Sequence, residues 1–146
     1  MKVLITEPNF YSDQILNQSP KDWEIFKLNV VSNKTFTNYL KKEKFDIIFI
    51  KIGLSLNKFI MDMQPDLKLV VTPTTGLDHI DLEYAKIKKI RIISLKNDIK
   101  FLSSITSTAE HAWMLALALQ RKLLDAIDIV RKGKWERESL SIYQLK

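Results

Sequence analysis

Two short stretches carry the residue types that could do chemistry. Thr72-Pro73-Thr74-Thr75-Gly76 follows the apolar run LKLVV, and Ile50-Lys51-Ile52-Gly53 closes the run FDIIFIKI. A proline that ends a strand, followed by small residues and Gly76, exposes consecutive backbone N–H groups, and such groups form a nest for an anion. A carboxylate held there accepts charge-assisted hydrogen bonds worth about 1.5–3 kcal/mol each. Gly76 is expected to permit a tight turn and to leave the approach clear of a side chain. The same residues also suit an ordinary strand-to-helix turn, and the motif alone leaves both readings open.

Other chemistries are excluded. The chain has three glycines, Gly53, Gly76 and Gly133, so neither GxGxxG nor GxxxxGK can occur. It has no cysteine, hence no disulfide, no thiolate metal site and no thiol nucleophile. Its two histidines, His79 and His111, lack any metal-ligand spacing. His111 falls on an apolar helical stretch, where a packed structural role is expected, and His79 suits a turn or the surface. No GxSxG elbow accompanies the serines.

The elements that must position these residues alternate strand and helix. KVLITE (2–7) and WEIFKLNV (23–30) are expected strands, with a short helix between them over 13–17. A helix over 35–44 places Phe36, Tyr39 and Leu40 on one face. FDIIFIKI (45–52) is a continuous β-branched and aromatic run, the mark of a strand buried on both faces. A helix over 57–63 is stopped by Pro65, and LKLVVTP (67–73) is the next buried strand. Asp81 caps a helix through residue 86, and RIISL (91–95) is a fifth strand. This alternation predicts an α/β fold, a doubly wound parallel sheet with helices on both faces. Ligands of such sheets sit beyond the carboxyl ends of the strands, where TPTTG and IKIG both fall.

A different section starts near Ser103. Ser107 and Glu110 have capping-box spacing, and the pattern predicts one helix over 107–132, ended by Gly133. Its first half, 112–119, is apolar all round and must be covered on every side, by the rest of the chain, a second copy or another domain. It is too short to span a bilayer.

Composition bounds the class. With 46% hydrophobic residues in 146, the chain can bury a core as one domain with or without an appendage. No signal-peptide run precedes KVLITE, so a soluble cytoplasmic protein without membrane partners is expected. The net charge of +6 gathers at Lys86, Lys88, Lys89, Arg91, Lys96 and Lys100. No aromatics interleave with them to stack bases, so this is read as a solvated face that can attract anionic ligands, not as a nucleic-acid site.

LKLVVTPTTGLDHIDLEYAKIKKIRIISL, then STAEHAWMLALALQRKL, then GKWER resembles the amino-terminal part of the D-isomer-specific 2-hydroxyacid dehydrogenases. That NAD-dependent family includes phosphoglycerate dehydrogenases, D-lactate dehydrogenases and glyoxylate reductases. The resemblance runs from KVLITE to GKWER in three blocks, in the family's order. It implies a flavodoxin-like substrate-binding domain of about five strands over 1–103. An interdomain and dimerisation helix with a crossover segment would follow over 104–146, leading to a Rossmann NAD-binding domain. It also implies that a small 2-hydroxy or 2-oxo acid meets the amides of Thr75 and Gly76, that the nicotinamide of NAD borders Thr75, and that Lys51, with Gly53 beside it, contacts an acidic substrate. A homodimer through the helix holding Trp113 and Leu117 is implied as well.

The departures bear on activity. The family's dinucleotide glycine motif and its catalytic arginine, glutamate and histidine all lie beyond YQLK, so no catalytic residue is expected here and the segment alone should be silent. Thr72 and Thr74 stand where many members carry arginine and glycine, and Ser104 where an asparagine is common. A non-catalytic binding or interaction module that kept the fold is the alternative. A signalling receiver domain has the same fold class, but it needs an aspartate at the end of the third strand, where Lys51 stands.

Overall fold

A computed structural model describes residues 1–136, 138 and 140. The chain divides into two compact units, Met1–Asp98 and Ile99–Lys146.

The first unit is built on a parallel sheet of five strands in the order β2-β1-β3-β4-β5. The strands are β1 (Lys2–Ile5), β2 (Glu24–Lys27), β3 (Ile47–Phe49), β4 (Leu69–Thr72) and β5 (Arg91–Ser94). This is the flavodoxin-like order, in which the winding reverses between β1 and β3. Alternation along the strands sorts the core into two layers. Leu4, Ile48 and Val70 point to one face and pack with Phe36, Leu40, Phe45, Ile60 and Ala85. Val3, Ile5 and Ile47 point to the other, against Tyr11, Leu16 and Trp23.

Helices α1 (Asp13–Leu16), α2 (Asn33–Lys42), α3 (Lys58–Asp62) and α4 (Leu82–Ile87) complete this unit. Side-chain oxygens cap three of them: Ser32 accepts from Thr35 N at 3.2 Å, Asn57 from Ile60 N and Asp81 from Tyr84 N, both at 3.0 Å. Each satisfies an amide that the first helical turn leaves without a partner. β2 is shorter than the expected 23–30, because it is an edge strand paired only with β1.

The second unit holds α5 (Ile99–Ser103), α6 (Ser107–Gln120) and α7 (Leu123–Arg131). The single helix expected over 107–132 is in fact two. Lys122 adopts φ 47°, a left-handed conformation that interrupts the backbone ladder. The expected capping box is also absent: Thr106 is the N-cap, Ser107 is already helical, and the Thr106 hydroxyl donates to the Glu110 carboxylate. Gly133 does end α7, at φ 70°, with its N–H on Val130 O and the Lys134 N–H on Ile129 O. This doubled bonding closes a helix through a left-handed glycine. Of the covers expected for the apolar α6 side chains, this chain does not supply one: Trp113 is 62% exposed and Leu117 44%. His111 is exposed with them instead of packed. The end of the expected crossover segment, 141–146, lies outside the described residues.

Candidate functional site

The reversal between β1 and β3 puts the site's first half at the ends of those strands. Their register pairs Val3 with Ile47 and Ile5 with Phe49, and continuing it carries Glu7 alongside Lys51. The Lys51 ammonium meets the Glu7 carboxylate at 3.0 Å, both side chains half-buried. Buried Thr6 ties the same strand ends together, its hydroxyl donating to Phe49 O at 3.0 Å. Tyr11 packs edge-on against Phe49 at 5.5 Å between ring centroids. Burial, then the nearby Glu7 charge, raises the pKa of its phenol, which stays protonated. Thr6, Glu7, Tyr11, Lys51 and Pro73 border a crevice of only about 10 Å³, room for roughly one water. Lys51 is therefore already ion-paired, and an acidic ligand must compete with Glu7 for it.

Gly53 lies just beyond Lys51 at φ +91°, where a side chain would be strained. Asn33, the first residue of α2, fixes this loop: its amide nitrogen donates to Gly53 O at 3.4 Å, and its oxygen accepts from Ser55 N at 2.7 Å. The loop then runs beside the segment after β4, with Leu56 N donating to His79 O and Asp81 N to Leu56 O.

The second half is the turn after β4. Thr72 is buried, Thr74 partly so, and Thr75 and Gly76 are exposed. Thr74 O accepts from Leu95 N at 3.1 Å, anchoring the turn beyond β5, and the Thr74 hydroxyl donates to Gly76 O at 2.8 Å. Among the described residues, the N–H groups of Thr75 and Gly76 donate to no protein acceptor. They are exposed backbone donors with unused capacity. Gly76 does not serve the turn as expected, since its φ lies outside the left-handed region. A Cβ there would meet only Asp78 Oδ2, at an ordinary 3.5 Å. What the missing side chain gives is open space beside the amides.

His79 stands behind this turn, its Nε2 3.3 Å from the Thr72 hydroxyl. Burial lowers its pKa, with the Asp78 charge opposing. The sequence reading did not find this contact, nor the Glu7 partner of Lys51. Among the described residues no cluster of three or more histidines or carboxylates could hold a metal ion.

The chain as a whole is similar to known proteins. The family model for the D-isomer specific 2-hydroxyacid dehydrogenase catalytic domain matches residues 3–138. A D-3-phosphoglycerate dehydrogenase of Archaeoglobus fulgidus is 26% identical over 147 residues, covering 100% of this chain and 26% of that protein. The D-lactate dehydrogenase of Aquifex aeolicus, solved with NAD and lactic acid, superposes with TM-score 0.71 at 24% identity, over 99% of this chain and 41% of that one. An acyclic imino acid reductase solved with NADPH and D-Arg gives TM-score 0.76 at 24% identity, over 100% of this chain and 46% of that one. The chain thus spans about a quarter of the length of the curated relative.

Proposed function

Because the chain belongs to the D-isomer specific 2-hydroxyacid dehydrogenase family, we propose that it is the substrate-binding portion of an NAD-dependent member acting on the CH–OH group of a small 2-hydroxy acid. Residues 1–103 hold the acid, and 104–146 form the interdomain helix and crossover toward a Rossmann domain. The observation that carries this reading is the exposed turn after β4, where the Thr75 and Gly76 amides have no protein acceptor among the described residues. A substrate carboxylate fits those donors. Its charge makes each bond about twice as strong as a neutral one.

The residues present do not make a dinucleotide cradle. Gly53, Gly76 and Gly133 are scattered, and none opens a helix of the sheet. NAD, which supplies the hydride chemistry when bound, is therefore assigned to a domain outside this chain, with Thr75 at its border. Alone, the chain is catalytically silent on this reading. Among the described residues no helix is long and apolar enough to cross a membrane, and a cytoplasmic enzyme is part of the same proposal.

Titrating the 146-residue chain with glyoxylate or pyruvate, followed by amide NMR, tests the site. Shifts at Thr75 and Gly76 are expected, and shifts only elsewhere overturn it. In the complete enzyme Lys51→Met should raise KM more than it changes kcat if Lys51 leaves Glu7 for an acidic substrate. Lost stability with unchanged kinetics would make the Lys51–Glu7 pair structural. That pair is also what favours the second reading, a non-catalytic module, since it leaves Lys51 satisfied without substrate.

The exposed apolar faces of α6 support a two-fold homodimer, in which each copy presents the same patch to the other. Trp113 and Leu117, four residues apart and so on one face, lie in that contact. Sedimentation of the chain at micromolar concentration should give a dimer. A monomer with α6 ordered would overturn the assignment.

A further inference from the structure

Behind the anion-receiving turn, four groups lie in hydrogen-bonding sequence. His79 Nε2 is 3.3 Å from Thr72 Oγ1, Thr72 Oγ1 is 3.0 Å from Thr74 Oγ1, and Thr74 Oγ1 is 2.8 Å from the Gly76 carbonyl oxygen. Distances alone leave the first two contacts without a direction. Proton counting supplies it. A carbonyl oxygen only accepts, so the single hydroxyl proton of Thr74 must point at Gly76 O. Thr74 therefore accepts from Thr72, which uses Thr72's only proton. Thr72 must in turn accept from the imidazole, so Nε2 carries a proton. The buried position of Thr72 requires its hydroxyl to be satisfied within the protein.

We propose that His79 is a positioning residue for the anion site: it feeds a one-way chain, Nε2–H to Thr72, Thr72 to Thr74, Thr74 to Gly76 O, that fixes the peptide plane following Gly76. This deepens, and rests on, the assignment of the Thr75 and Gly76 amides as carboxylate donors. Glycine's wide conformational range makes its peptide planes free to turn. The bond from the Thr74 hydroxyl to Gly76 O closes a ring through the two peptide units that carry the Thr75 and Gly76 N–H groups, so holding that carbonyl also orients both donors. Thr72 and Thr74 supply the two hydroxyls of this chain. Neutral His79 has one ring proton, and the chain fixes it on Nε2. Lowering of the imidazole's pKa by burial agrees with a neutral ring at pH 7, Asp78 being the charged group acting on it.

The test begins in the ligand-free 146-residue protein, with ¹⁵N shifts and long-range couplings of the imidazoles. His79 should be in the Nε2–H tautomer at pH 7, and an Nδ1–H tautomer overturns the chain. Next, backbone relaxation at Gly76 and Leu77 is compared in His79→Leu, Thr74→Val and His79→Gln. The first two should mobilise both amides, and the third, whose side-chain amide can donate in place of Nε2, should restore order. Glyoxylate affinity should follow, falling about 2–10-fold in His79→Leu, as for one lost hydrogen bond, and recovering in His79→Gln. Unchanged relaxation in both His79→Leu and Thr74→Val, or equal loosening in His79→Gln, overturns the positioning role. Glyoxylate that leaves Thr75 and Gly76 silent in the unsubstituted protein defeats the anion assignment instead, while the tautomer and relaxation still decide the chain.

Discussion

Helices α2 and α6 invite comparison because each is the longest of its unit. α2 is mostly polar, yet it buries Phe36 and Leu40 completely in the core and turns its lysines to water. α6 is apolar on every side over 112–119 and buries nothing: Leu119 is 80% exposed and Trp113 62%. A narrow apolar stripe describes a helix whose partner is its own sheet. Uniform apolarity describes a helix that needs surfaces its own unit does not supply. Only the first kind can be placed from its periodicity alone.

The comparison yields opposite expectations for two substitutions. Phe36→Ala should cost the first unit about 3–5 kcal/mol in urea unfolding, since it empties a fully buried site. Leu117→Asp should leave that unit's unfolding within about 0.5 kcal/mol of the parent while abolishing the proposed dimer in sedimentation. If Leu117→Asp weakens the first unit as Phe36→Ala does, the contrast between the helices is wrong.

A smaller effect sharpens what α2 depends on. Gln64 is buried, accepting from Phe45 N at 2.9 Å and donating to Leu40 O at 2.7 Å and Glu43 O at 3.0 Å. It ties the end of α3 to the end of α2 and the start of β3. Gln64→Leu keeps the bulk but strands those backbone groups, at about 1–3 kcal/mol in thermal or chemical unfolding. An unchanged melting curve would show that water replaces the amide.

Asp46 gives a pH-dependent effect in the same unit. Its carboxylate accepts from Lys68 Nζ at 2.7 Å and Lys2 N at 2.8 Å. The Lys68 hydrogen bond, then that of the Lys2 backbone, lowers its pKa below the usual 3.8. A carboxyl lowered by folding contributes stability that is complete above its unfolded value and lost as pH falls through the folded one. Acid unfolding below about pH 4 should therefore be shallower in Asp46→Asn than in the parent. Parallel acid limbs would assign the loss to other groups.

Much of this was legible in the sequence. β3 and β4 stand out because strands buried on both faces read as unbroken β-branched runs. Asp81 as a cap and Gly133 as a helix stop follow from local backbone chemistry. What escaped depends on neighbours distant in the chain. Glu7 and Lys51 meet only because β1 lies beside β3, and Gln64 looks like any polar residue before a proline until its three partners are seen. The break at Lys122 has no glycine or proline to announce it, and nothing in the structure explains why a lysine takes that conformation. The unused amides at Thr75 and Gly76 sit at the strand end where the sequence directs attention. The Thr72, Thr74 and His79 contacts behind them arise only once the turn after β4 folds His79 back onto Thr72.

The most direct test of the anion site is Gly76→Ala, followed by glyoxylate titration against the parent chain. The Gly76 backbone is ordinary and a new Cβ would only touch Asp78 Oδ2 at 3.5 Å. The fold should therefore hold or gain about 0.4–1 kcal/mol from a stiffer unfolded chain. On the proposed site, the methyl group would nonetheless crowd a carboxylate approaching the Thr75 and Gly76 amides. The account predicts an equally or more stable protein whose amides no longer respond to glyoxylate. A stable Gly76→Ala protein that binds glyoxylate as the parent does would contradict it.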